Sequence, residues 1–295
     1  MTKEMQRFGK GMAFLSPWLF GFLVFTLFPL GMSLYYSFHK YNEMQPPRFT
    51  GMDNYSNMMH DATFWKAAGN TFTFGAMSIP AGLLMSLGLA LLLNARIPGQ
   101  TIWRAIIFMP SLMPVVASAM IWMWLLNSKL GLINVVLWEG LGINGPSWLG
   151  DPAWVLPALT LMSVWGVGNA VVIYLAGLQS VPRELYEAAE LDGAGIFGRL
   201  WHVTLPMLSP VIFYNLVIGI IGTFQYFDMP YIMSNIGLGP DNSAYLMSSY
   251  IYDNSFRYLR MGYASALAWI LLLIIFALTA LAFATGKRWV HYQGK

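Results

Sequence analysis

The chain is 295 residues long, 57% of them hydrophobic and only 10% charged, with a formal net charge of +3 and no cysteine. A chain this apolar is hard to keep in solution as a monomer, and the lack of cysteine excludes disulfides, thiolate metal ligands and thiol catalysis. The small positive charge does not point to nucleic acid.

Six apolar stretches each supply the ~20 residues that a helix needs to cross a hydrocarbon core. They run from Ala13 to Phe38, Phe72 to Leu93, Ala105 to Leu126, Trp154 to Leu178, Val211 to Met233 and Tyr263 to Thr285. A bilayer offers no water to backbone groups, and continuous apolarity without period-two alternation is not a barrel strand, so all six are read as helices. The first run is about twice a signal-peptide core in length. It ends in "SLYYSFHKY" with no small-residue cleavage pattern, so it is read as a retained span. The expected fold is an all-α integral membrane protein with six transmembrane helices.

An even number of spans puts both termini on one side of the membrane. Placing them inside collects Lys3, Arg7, Lys10, Arg96, Arg104, Arg183, Arg199, Lys287, Arg288 and Lys295 in the cytoplasm, ten of the sixteen Lys and Arg. This follows the positive-inside rule, against Lys40, Arg48 and Lys66 in the first outer loop. The three outer loops are rich in Gly, Asn, Asp and aromatic residues, as either solvated connectors with an aromatic belt or a docking surface would be. The repeat Gly82, Ser86, Ala90 gives a small-residue face, suited either to a second subunit or to internal packing.

The cytoplasmic loop "ELYEAAELDGAGIFGRLWHVTLP" stands apart from its greasy surroundings. Pro182 suits a first helical turn, Glu184 and Glu187 favour the positive end of the helix dipole, and Gly193 offers the left-handed position that ends helices. The spacing predicts a helix from about Pro182 to Asp192 and a second from about Gly195, with Ile196, Leu200 and Val203 on one side. This helical elbow either lies on the membrane surface or, with Ala188 and Ala189 allowing close approach, fits a socket on another protein.

Two spans carry polar groups at depth. "SVWGVGNAVVIY" puts Trp165 and Asn169 four residues apart on one helix face, and "GTFQYFDMPY" puts Gln225 and Asp228 three apart, beside Phe224. A carboxylate buried in a span costs roughly a few kcal/mol unless paired or wet, so Asp228 is a functional candidate by default. Trp165 is either a packing aromatic or a ring that meets solute. No GxxxxGK[ST], HExxH or GxSxG occurs, and the four histidines are not at ligand spacing, so no active site is read on this chain. A stand-alone proton-coupled transporter working through Asp228 is the alternative, but it leaves the elbow without a use.

The elbow's spacing, Glu187-Ala188-Ala189, then Gly193, then Val203 and Leu205-Pro206, resembles the EAA signature of membrane subunits of binding-protein-dependent ABC importers. Val203 stands where the signature has isoleucine. The resemblance extends through "GMDNYSNMMHDATFWKAAGNT", "PSLMPVVASAMIWMWLLN", "LAGLQSVPRELYEAAELDGA" and "FDMPYIM", and is strongest to the carbohydrate-uptake branch with its maltose and glycerol-phosphate permeases. It implies a type I importer permease in a bacterial or archaeal cytoplasmic (inner) membrane. Its partners would be a second homologous permease, two ATP-binding cassette ATPases that hold ATP and Mg, and an extracytoplasmic solute-binding protein delivering a carbohydrate; this chain itself would bind no cofactor. The implied division is residues 1–71, then a core at 72–286 containing the EAA loop at 180–208, then a tail at 287–295. Glu187, Ala188, Ala189 and Gly193 would couple to the ATPase. Asn169, Phe224, Gln225 and Asp228, with Trp165 on the same helix as Asn169, would line the solute pathway. For Asp228 the options are sugar hydroxyls, pairing with the neighbouring permease, or solvation at the outer interface.

Overall fold

The structure, a computed structural model, describes residues 3–95, 98–234 and 242–291. Arg96, Lys295 and the stretch 235–241 of the expected third outer loop lie outside the described residues, as do the side chains of Lys3, Arg7 and Lys10. The helices are α1 (Lys3–Phe22), α2 (Phe28–Ser37), α3 (Asp53–Met59), α4 (Ala62–Asn94), α5 (Gln100–Leu112), α6 (Val115–Leu125), α7 (Leu132–Leu141) and α8 (Pro152–Trp165). They continue with α9 (Gly168–Gln179), α10 (Arg183–Leu191), α11 (Ile196–Arg199), α12 (Leu205–Phe224), α13 (Asp228–Ser234), α14 (Met247–Tyr252) and α15 (Met261–Gly286). A two-residue ladder, β1 (His39–Lys40) against β2 (Arg48–Phe49), is the one departure from an all-helical fold among the described residues.

Among the described residues, four helices are long and apolar enough to cross a membrane, Gly11–Ser37, Ala62–Asn94, Ile196–Met233 and Met261–Gly286. The total is six if α5 with α6 and α8 with α9 are each one span, bent by 100° and 51°. Two π turns, Leu23–Leu27 and Leu200–Thr204, come directly before Pro29 and Pro206 in the helices that follow. Proline has no N–H and its ring crowds the carbonyl four residues back, so the hydrogen-bond ladder slips by a residue and the helix carries on.

The chain divides into two compact units, the first made of residues 1–61 and 251–272. Its span Gly11–Ser37 buries none of its apolar window, and Phe14 and Phe25 are almost fully exposed, as lipid or another chain would require. The segment after it is braced tightly. The Asn54 amide donates to the carbonyls of Ser37 and His39 at 2.8 and 3.0 Å, and the Tyr55 hydroxyl to Ser37 Oγ at 2.8 Å. Tyr36 stacks on Tyr41 at 4.4 Å. The start of α15 crosses this segment so closely that a Cβ on Gly262 would stand 2.0 Å from the His39 carbonyl oxygen, which only glycine avoids.

The second unit, residues 62–250 and 273–295, is organised on α4, which packs against α8, α9 and α12. One apolar cluster gathers Phe74, Trp122, Leu159, Met162, Met229 and Leu246; another gathers Ala90, Val171, Tyr174, Leu178 and Leu208. Ser86 and Ala90 are buried within this chain, so two members of the small-residue repeat serve internal packing, while a Cβ on Gly82 would meet nothing within 4 Å. The first turns of α4 hold the described residues that follow the stretch 235–241. Asn70 donates to the carbonyls of Asn242 and Tyr245 at 2.9 and 3.1 Å, and the Met247 N–H donates to Thr71 Oγ1 at 2.9 Å.

A cavity at three helix breaks and a braced elbow

Three interruptions in the helices meet at one place. Between α5 and α6, Met113 is extended ahead of Pro114, the backbone a residue before proline prefers. Between α8 and α9 the chain turns at Gly166 and Val167, and Gly168 then passes close to α5: a Cβ there would lie 2.8 Å from Ser111 Oγ and 3.1 Å from the Ile107 carbonyl oxygen. Between α12 and α13 the residues Gln225–Phe227 leave the helix, and Pro230 falls in the first turn of α13, where its missing N–H is harmless. Non-helical backbone at membrane depth is tolerated where it lines a cavity. A cavity of about 480 Å³ lies here, bounded by residues from all three breaks and by Phe74 of α4.

Its lining mixes rings and polar groups. Tyr226 stacks on Phe74 at 5.2 Å, Trp165 meets Trp122 edge to face at 5.7 Å, and Asp228 opens onto the space as an exposed residue. Ser111, Ser163 and Thr223 add hydroxyls. A smaller recess of about 200 Å³ shares Ser163, Gly219 and Thr223 with it and continues past Ser78, Ser86 and Asn215. Ser78 Oγ is buried there without a hydrogen-bond partner.

Sequence reasoning and structure differ at several of these residues. Trp165 ends α8 and Asn169 lies in α9, so the 51° bend removes the shared face expected of them. Gln225 caps α12 and Asp228 starts α13, so they too share no helix face, because the non-helical residues between them reset the rotation. Asp228 is exposed in this chain where a buried carboxylate was expected. Trp165 and Asp228 line the cavity; Asn169, Phe224 and Gln225 do not. Phe224 is buried instead, edge to face with Phe72 at 5.2 Å and 3.2 Å from where a Cβ on Gly75 would stand. Tyr226 and Thr223 were missed, and the sequence signal for them was the aromatic and hydroxyl content of "GTFQYFD" itself.

At the other site, α10 runs from Arg183 to Leu191 with Pro182 before it and Asp192 as its C-cap. Gly193 adopts φ +80°, and the N–H groups of Gly193 and Ala194 donate to the carbonyls of Glu190 and Ala189 at 3.0 and 2.8 Å. This pair of bonds is the Schellman closure, which wants a residue without a Cβ at the left-handed position. The second arm is not a separate helix as the sequence suggested: α11 passes through the π turn Leu200–Thr204 straight into α12. Ile196 is 76% exposed, so the expected apolar side of that arm is not buried within this chain. Two contacts tie the arms together, an ion pair between Arg199 and Glu190 and a bond between the Tyr186 hydroxyl and Thr204 Oγ1 at 3.1 Å. Glu187 and Ala188 are exposed and Ala189 half-buried.

Residues 78–290, which hold both the cavity breaks and the elbow, match the family described as binding-protein-dependent transport system inner membrane component. The chain belongs to this family. As an inner membrane component it is similar along most of its length to the probable ABC transporter permease protein YesP of Bacillus subtilis (strain 168), 38% identical over 288 residues, 97% of this chain and 93% of that protein. It is 35% identical over 257 residues to the sulfoquinovosyl glycerol transport system permease protein SmoG of Agrobacterium fabrum (strain C58 / ATCC 33970), covering 86% of this chain and 82% of SmoG. In fold this inner membrane component resembles a chain of a bacterial ABC transporter involved in the import of the acidic polysaccharide alginate, with TM-score 0.83, 24% identity and coverage of 97% and 98% of the two chains. Among the described residues no group of three or more His, Cys, Asp and Glu could hold a metal ion.

Proposed function

We propose that this inner membrane component is the permease subunit of an ATP-driven carbohydrate importer. It would form the translocation pathway with a second homologous permease, receive solute from an extracytoplasmic binding protein, and take its drive from two ATPase subunits gripping the elbow. Both termini would lie in the cytoplasm. The observation that carries the reading is the cavity where three helix breaks meet. Aromatic rings of Trp165 and Tyr226 suit the apolar faces of a sugar, and Asp228, Thr223, Ser111 and Ser163 suit its hydroxyls. The carbohydrate class is favoured by the relatives, SmoG by its name and the lactose transport system permease protein LacF of Rhizobium radiobacter at 33% identity over 94% of each chain.

The elbow supports the coupling part. Glu187, Ala188 and Ala189 sit on a helix closed at Gly193 and braced to the root of the fifth span, so a push on α10 is passed to α12. The proton-coupled alternative is not favoured by membership in a binding-protein-dependent family, and an exposed Asp228 lacks the burial expected of a proton site. The test is reconstitution of the whole complex in proteoliposomes. Uptake is expected to require ATP and binding protein and to survive a proton uncoupler. Uptake by this chain alone, driven by a pH gradient, would overturn the reading.

A further inference from the structure

A crevice of about 340 Å³ lies between α5 and α9, within the second compact unit. Leu93 of α4 with Val171 and Leu175 of α9 forms its buried floor, Ile107 and Phe108 of α5 line its side, and Val172, 52% exposed, stands at its mouth. Gly168 marks the end where the two helices touch, at Ile107 and Phe108. Arg104 comes one turn earlier on α5, toward the other end. Among the described residues it is the only polar side chain in the lining.

Arg104 is half-buried and lacks a counter-ion. Its Nε is shut off from solvent without a hydrogen-bond partner, and its guanidinium makes no ion pair among the described residues. The three helices that form the crevice, α4, α5 and α9, contain no Asp or Glu at all. A partly desolvated guanidinium is costly without an acceptor, and its planar fork of donors suits the paired oxygens of a carboxylate or a phosphate. None of these helices supplies one, so the anion comes from outside the chain.

Its depth says which anion. With the termini in the cytoplasm, α5 starts at the inner face, and Arg104 in its second turn lies at the level of the inner headgroups. Trp103, its neighbour in sequence, is 50% exposed, as rings at that level are. The cytoplasmic leaflet carries the anionic lipids, and basic pockets between helices on that side hold their headgroups. A soluble anion would leave the apolar slot empty, and an apolar helix of another subunit would leave the guanidinium unpaired. We infer that this crevice binds an anionic phospholipid of the inner leaflet, its phosphate on Arg104 and an acyl chain against Leu93, Val171 and Leu175. The leaflet rests on the importer reading above; the binding itself does not.

The test uses the assembled complex in phosphatidylcholine nanodiscs with a trace of phosphatidylglycerol that carries a photoactivatable acyl chain. Photolysis is expected to mark peptides of α5 and α9, and unlabelled phosphatidylglycerol to suppress the marking at roughly fivefold lower concentration than added phosphatidylcholine. Arg104→Gln is expected to abolish that preference and Arg104→Lys, which keeps the charge, to retain part of it. Equal suppression by the two lipids in the wild type overturns the inference, and it decides the matter even where the Arg104 variants fail to assemble. So does wild-type preference in an assembled Arg104→Gln complex. Suppression by inorganic phosphate assigns the guanidinium to a soluble anion and overturns it too. A p-benzoylphenylalanine at Val172 is expected to couple to lipid; coupling to the second permease makes the crevice a subunit interface and sinks the proposal. Failure of the importer reading shows elsewhere, as uptake that needs no ATP, and leaves the lipid result standing.

Discussion

The Tyr186 hydroxyl lies 3.1 Å from Thr204 Oγ1, joining the first arm of the elbow to the π turn from which α12 rises. Thr204 itself donates to the Arg199 carbonyl at 3.3 Å, so the Tyr186 hydroxyl is the donor across the bridge. Losing one such bond costs about 1 kcal/mol, roughly fivefold in an equilibrium. Tyr186→Phe is therefore expected to lower the solute moved per ATP hydrolysed by about two- to fivefold, with membrane insertion and subunit assembly unchanged. A wild-type ratio in the reconstituted complex would show that the bridge transmits nothing.

Gly193 allows a cleaner backbone experiment. It sits at φ +80°, and a Cβ added there would meet nothing within 4 Å, so a substitution acts through conformation and not through collision. Gly193→Ala is expected to destabilise the end of α10 by about 1 kcal/mol and Gly193→Val by more, whereas Gly193→Asn, which tolerates the left-handed region, keeps most of the wild-type behaviour. The readout is retention of the ATPase subunits on purification. Glu187→Ala is the companion: the Glu187 side chain makes no ion pair among the described residues and is exposed, so the variant is expected to keep the thermal stability of the permease while retaining less ATPase on purification.

Much of this was legible in the sequence for plain reasons. Span positions follow from runs of apolar residues about as long as a bilayer is thick, and Gly193 from the rule that few other residues end a helix so cheaply. The interior of the site was harder. Extending one regular helix through Trp165 to Asn169, or through Gln225 to Asp228, assumes that rotation accumulates at a fixed angle per residue. The breaks at Gly166–Val167 and Gln225–Phe227 reset it, and they depend on where α4 and α5 lie, which no local pattern reports. Phe224 illustrates the result, since its ring faces Phe72 and Gly75 of α4 and not the cavity two residues away. A polar recess of the first unit joins residues 40–61 to residues 258–263, segments some two hundred residues apart, a pairing invisible to any window along the chain.

Close approach gives a contrast between two glycines. A Cβ on Gly168 would press on Ser111 Oγ at 2.8 Å and on the backbone of α5 at 3.1 Å, whereas one on Gly82 would enter open space. Gly168→Ala is expected to cost about 1–3 kcal/mol through overpacking. Gly82→Ala, in the middle of a helix, is expected to be neutral or to stabilise by about 0.5–1 kcal/mol. Thermal unfolding of the purified complex, followed by size-exclusion chromatography, should rank Gly168→Ala well below wild type and Gly82→Ala at or above it. Equal loss in both would mean that α9 and α5 do not cross as described.

The cavity assignment can be tried by comparing neighbours in sequence that part company in space. Asp228 and Tyr226 line the space; Gln225, between them and Phe224, is exposed as the cap of α12 and stands outside it. A hydrogen bond from a sugar hydroxyl to a carboxylate contributes about 1.5–3 kcal/mol, so Asp228→Ala should raise the apparent KM for uptake by about tenfold or more, and Asp228→Asn by less. Tyr226→Ala removes the ring stacked on Phe74 and should reduce uptake in the same way, while Gln225→Ala leaves it within about twofold of wild type. All the variants should assemble with their partners, because none of these side chains is a fully buried packing residue. A larger defect from Gln225→Ala than from Asp228→Ala would mean that α12 runs unbroken into α13 in the working complex, with the solute following a different face of it.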